Sequence, residues 1–148
     1  MQIELPASLH AQIQQLSAEG DALAESAAYE AAIAKYNEAW DLVPEPKNDW
    51  EASTWLLAAI GDACFLSGYF TSGVEAFEYA LTCPSGFGNP FVHMRLGQCC
   101  LEKNEHQAAA EHLGRAYMLE GKEFFAAEDS KYFEFLKTKI QKPVSGVW

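Results

Sequence analysis

The amino-acid sequence predicts an all-α chain of helix pairs stacked side by side, and three observations carry that prediction. Glycines recur at positions 20, 61 and 97, each followed by the same ordered set of side-chain types. Between them, apolar residues fall at three- and four-residue intervals, the spacing that puts side chains on one face of a helix. Two stretches, 44-PEPKND-49 and 83-CPSGFGNP-90, gather the residues that end helices and make turns.

Three residues after each glycine stand Leu23, Cys64 and Cys100, and nine after it Tyr29, Phe70 and His106. Twelve after come the small residues Ala32, Gly73 and Ala109. Sixteen after come Tyr36, Phe77 and Leu113, and nineteen after come Ala39, Ala80 and Ala116. A small residue on the first helix lets its neighbour approach closely, and a small residue on the second does the same from the other side. The large side chain four positions on shares that helical face and fills the space between. Each pair leaves an apolar side open, which the next pair must cover.

The elements follow in order. The first pair is expected over residues 7 to about 25 and 28 to 42, the second over 50–67 and 71–82, and the third over 91–103 and 106–119. Ser130 reads as the N-cap of a last helix running to about residue 141. Lys137, Lys139 and Lys142 suit the negative end of its dipole. Tyr132, Phe133, Phe135, Leu136 and Ile140 give it an apolar stripe. The tail 143-PVSGVW-148 is expected either loose or docked through Trp148.

The spacing of Gly20, Leu23, Ala32, Tyr36, Ala39 and Pro44 resembles the tetratricopeptide repeat. The second copy keeps Gly61, Phe77, Ala80 and Pro84, with Gly73 in the alanine column. The third keeps Gly97, Ala109 and Ala116, with Leu113 for the aromatic and Gly121 where proline is common. The family's usual tryptophan is replaced by Leu16, Leu57 and His93, and the glycines lie 41 and 36 residues apart against about 34 in the family. The resemblance covers roughly residues 10–121. It implies a short right-handed superhelix with repeats at about 10–44, 50–85 and 90–121, closed by a capping helix at about 130–141, all within one domain.

The bulk properties agree with such a domain. The chain has 148 residues, 49% hydrophobic and 13% aromatic, enough to bury a core without disulfides or metal. Cys64, Cys83, Cys99 and Cys100 form no C-x-x-C pair and read as reduced core residues. Net charge is −11, and all of it falls in residues 1–82, which carry thirteen acids against only Lys35 and Lys47. Nucleic acid and anionic membrane are therefore poor partners, while a basic protein is a good one. The start, MQIELPASLHAQ, lacks a basic segment followed by an apolar one, and no stretch matches a membrane span, so a cytoplasmic protein is expected.

No enzyme motif is present: no H-E-x-x-H, G-x-S-x-G, phosphate-binding loop or G-x-G-x-x-G. The histidines at 10, 93, 106 and 112 are scattered over different helices, and His93 and His106 fall in packing columns. A non-enzymatic protein that uses no cofactor or metal is expected.

The resemblance implies that the first helix of each pair lines a concave groove. Helical spacing places Gln14, Ser17, Asp21 and Ala24 there, then Trp55, Ala58, Ala59, Asp62 and Phe65, then Phe91, Met94, Arg95, Gln98 and Glu102. Asp21, Trp55, Asp62, Phe65, Phe91, Met94, Arg95 and Gln98 are the expected partner-binding set, since aromatic, Met and Arg side chains concentrate at interface centres. Co-chaperones of this family clamp a terminal carboxylate with Lys, Asn and Arg; of the matching positions Ser17, Asp21, Ala59, Phe91 and Arg95, only Arg95 fits. Three functions remain. The first is an immunity protein that blocks a basic toxin, which suits the acidic first half and a run at 117–137 that resembles the ends of such proteins. The second is a three-repeat secretion chaperone holding an extended apolar segment. The third is a structural adaptor in a larger assembly.

Overall fold

A computed structural model describes residues 5–148; the first four residues, part of the start read above as leaderless, lie outside the described residues. Among the described residues all regular structure is helical. The helices are α1 Ala7–Glu25, α2 Tyr29–Leu42, α3 Glu51–Ser67, α4 Phe70–Ala80, α5 Pro90–Glu102, α6 His106–Glu120 and α7 Ser130–Lys137. Short 3₁₀ turns at Lys47–Asp49 and Lys122–Phe125 join two of them. α1 packs on α2, α3 on α4 and α5 on α6, and the pairs meet through α2 against α3 and α4 against α5.

One turn geometry is used three times. Seven residues after each repeat glycine stand Ala27, Gly68 and Asn104, with φ of 63°, 86° and 62°. The next amide in each case donates back five residues: Ala28 to the Leu23 carbonyl, Tyr69 to Cys64 and Glu105 to Cys100, at 2.8, 2.8 and 2.9 Å. This is the Schellman closure, in which one left-handed residue turns the chain and pairs the last helical carbonyls. Only Gly68 occupies that position without a steric cost.

The repeat columns are close approaches between paired helices. A Cβ placed on Gly20 would stand 2.5 Å from Tyr36, one on Gly61 2.6 Å from Phe77, and one on Gly97 2.7 Å from Leu113. Each glycine is therefore seated against the large residue sixteen positions on. Tyr36, Phe77 and Leu113 are 3%, 0% and 0% exposed, so none has room to give way. Gly73 departs from the alanine column for a similar reason. A Cβ there would meet the Cys99 sulfur of the next repeat at 2.9 Å.

Helix ends follow local chemistry. Asn89 caps α5 by accepting from the Phe91 and Val92 amides, with Pro90 at its first position. The last helix is capped by Asp129, whose carboxylate accepts from the Lys131 amide at 2.9 Å, and not by Ser130, which is its first helical residue. It also ends at Lys137, short of the expected 141. There the Thr138 hydroxyl donates to the Phe135 carbonyl, and the Lys139 and Ile140 amides both turn back to Leu136, leaving Lys139 and Lys142 beyond the helix. The tail is docked: the Trp148 ring lies 6.2 Å from Tyr117 and 6.1 Å from Phe133.

Candidate groove and its occupancy

On α1 and α3 most of the residues expected to line the groove are accessible. Gln14 and Asp21 are exposed, Trp55 is 38% exposed, and Ala58, Ala59 and Asp62 are half-buried. Ser17 is buried and bonded to its own helix through the Ile13 carbonyl. The Tyr36 hydroxyl reaches the same end of the face and donates to Asp21 at 2.6 Å. Burial raises that hydroxyl well above its usual range, and the charges of Asp21, Asp62 and Glu25 add to the effect. Asp21 thus accepts directly from a neutral donor, and Asp62 and Glu25 add negative charge to the same side.

The α5 side is different, because the segment after α6 reaches into it. Arg95 bonds Asp62 at 2.8 Å and Glu128 at 2.5 Å, and also donates to Gln98 at 2.7 Å. Gln98 in turn donates to Glu128 at 2.8 Å. The Arg95 guanidinium lies 4.7 Å over the Phe65 ring and 5.2 Å over Phe91. Burial works against its charge, but Asp62 and Glu128 outweigh that and hold its pKa above the usual value. Tyr132 donates to Glu102 at 2.8 Å, and its ring stands 6.3 Å from Phe65.

Met94 and Gln98 are therefore not on the groove surface as helical spacing placed them. They are 2% and 0% exposed, Met94 packed with Phe125, Tyr132 and Leu136 and Gln98 bonded beneath Glu128. Phe91 is half-buried with its ring edge-on to Phe77 at 6.3 Å, so it lacks the exposure of its column equivalent Trp55. Asp62, Phe65 and Arg95 do come together, with Arg95 at the centre and Glu128 as its further partner. Glu128 and Tyr132 lie outside the repeat columns, and the columns carry no signal for them. Their nearest sequence sign is an acidic pair just ahead of an apolar helix.

Two of the histidines also meet. His93 and His112 stack with ring centroids 5.3 Å apart and Nδ1 atoms at 3.1 Å. His93 Nε2 lies 2.6 Å from the Phe87 carbonyl, which only accepts, so that nitrogen carries the hydrogen. In the neutral pair His93 Nδ1 then accepts and His112 Nδ1 donates. The pair ties α5, α6 and the loop before α5 together.

No helix among the described residues is long and apolar enough to cross a membrane. No protein-family model matches the chain, and no curated protein matches it. A solved structure does. The type III secretion chaperone SycD of Yersinia enterocolitica, in complex with a peptide of the translocator YopD, superposes with a TM-score of 0.66 at 17% identity, over 84% of this chain and 89% of that one. At that identity the likeness is one of fold: this chain is an all-helical stack of helix pairs of the tetratricopeptide-like kind that such a chaperone has.

Proposed function

We propose that this chain is a chaperone-like holder that keeps an extended segment of one partner protein in the groove between α1 and α3. The observation that carries the reading is Trp55, which stands exposed on α3 with Ala58, Ala59 and Asp62 following it. A wide aromatic with small residues beside it offers an apolar seat to a passing side chain. The groove belongs to a fold shared with a chaperone that was solved with a peptide of the protein it serves. The acidity that prompted the immunity reading serves a holder equally, by favouring segments that carry Lys or Arg.

The test is capture from the native source at low and high salt, with the wild type and with Trp55→Ala. A holder retains a single partner at high salt, loses it in Trp55→Ala, and still binds a short peptide from it. Binding only to the intact folded partner, abolished by salt and indifferent to Trp55, overturns the reading and returns the case to a blocker of a basic protein.

A further inference from the structure

We propose that the segment following α6 is a latch that regulates the groove, closing its third-repeat end in the free protein and yielding when a partner segment extends past Asp62 and Phe65. The inference rests on the groove reading above, and adds to it how access is controlled.

The contacts have the form of a ligand rather than of a helix cap alone. The Glu128 carboxylate enters between Arg95 and Gln98, taking a charged and a neutral donor at once. One turn later Tyr132 lays its ring near Phe65 and bonds Glu102, which Lys131 also pairs at 2.6 Å. These side chains come from the far end of the chain, yet they meet α3 and α5 on the face proposed above to line the groove. Asp62 and Phe65 belong to both halves: they border the open groove, and they touch the latch through Arg95 and Tyr132.

The stretch that delivers Glu128 is lightly held on either side of that residue. Phe125, Tyr132 and Leu136 anchor it at 5%, 4% and 0% exposure, but Ala126, Ala127, Asp129 and Ser130 are all exposed. Few apolar contacts hold those residues, which places them at the low-stability end of the fold. A partner group that pairs with Asp62 or packs on Phe65 competes directly for what Arg95 and Tyr132 now hold. Opening is then coupled to occupancy through shared residues, so that partner binding and latch release favour one another.

The test uses the full chain and a fluorescein-labelled peptide copying residues 121–141. With the latch weakened by Glu128→Ala and Tyr132→Ala together, the peptide binds about tenfold more tightly than it does to the wild type, because the internal copy no longer competes. Adding Arg95→Ala removes that gain. Equal binding to wild type and variant, or binding indifferent to Arg95, overturns the proposal. Glu128→Gln keeps the side-chain shape while removing the charge, and it serves if the double variant does not fold. Its amide exchange should rise about tenfold over residues 121–137 with α1 to α4 unchanged. No local rise, or acceleration spread through all helices, refutes the latch. Neither readout uses the partner, so the latch can fail while the groove reading stands, and the reverse.

Discussion

Replacing Gly61 by alanine should destabilise the chain, whereas the same change at Gly114 should stabilise it. Both lie inside helices, where alanine is favoured over glycine by about 1 kcal/mol. At Gly61 the new Cβ would stand 2.6 Å from Phe77 Cε2 and Cζ and 2.9 Å from Cδ2. Carbon atoms sit comfortably at about 3.5–4.0 Å, so the ring or the helix must move by about 1 Å. Phe77 is fully buried and has no space to move into. Overpacking of that kind costs about 1–3 kcal/mol, which leaves a net loss of up to about 2 kcal/mol. At Gly114 the nearest atom is Leu136 Cδ1 at 3.9 Å, an ordinary contact, so a gain of about 0.5–1 kcal/mol remains. For a chain of this size these become a Tm fall of up to about 8 °C and a rise of about 1–4 °C. Thermal unfolding followed by circular dichroism reads both. If the two variants shift in the same direction, the columns are not close approaches and the packing argument is wrong.

Further outcomes are expected from other sites. Ala27 holds the left-handed turn position that Gly68 fills in the second repeat, so Ala27→Gly should stabilise the chain by about 1 kcal/mol in urea unfolding. The same change at the helical Ala32 should destabilise it. Burial lowers the pKa of His112 below its usual value, with His93 and Arg115 adding to this and Glu111 opposing it. The unfolded chain then takes up that proton first, so stability is lost as pH falls below about 6.5 toward the lowered value. His112→Gln should flatten the fall in Tm between about pH 7 and pH 5, above the range where carboxylates titrate; an unchanged slope rejects that assignment. All four cysteines are free and buried, and burial raises Cys99 to about 12 and Cys100 to about 11. Near pH 8 a thiol reagent should react with none of them at once and with all of them after unfolding in urea. Rapid labelling of Cys99 in the folded chain contradicts its placement.

What could be read from residues alone was whatever repeats. Gly20, Gly61 and Gly97 announce their helix pairs because each is matched to a large side chain at constant distance, a relation local enough to survive in the order of the chain. Helix ends at Leu42 and Ser67 were legible because turn residues, Pro44 and Gly68, follow closely. The left-handed column at Ala27, Gly68 and Asn104 escaped notice because three different residues fill it. The site was harder to read. Trp55 is exposed, but Met94 and Gln98, which spacing put on the same face, are covered by residues from a segment that no column describes. A helical wheel reports which way a side chain faces, not what arrives to meet it.

The Gly73–Cys99 contact also bears on how such a stack could be rebuilt. By column, the partner of Ala32 is Ala63, while Gly73 has given up its methyl to admit a sulfur from the following pair. The two junctions are therefore cut differently, like keys with different notches. Copying the second pair after itself would set Ala63 against Gly73 and leave a void about the size of a sulfur. Copying the third after itself would set Cys99 against the Ala109 methyl and force the helices apart. By this column neither the second nor the third pair can be duplicated in tandem unless its notch is recut.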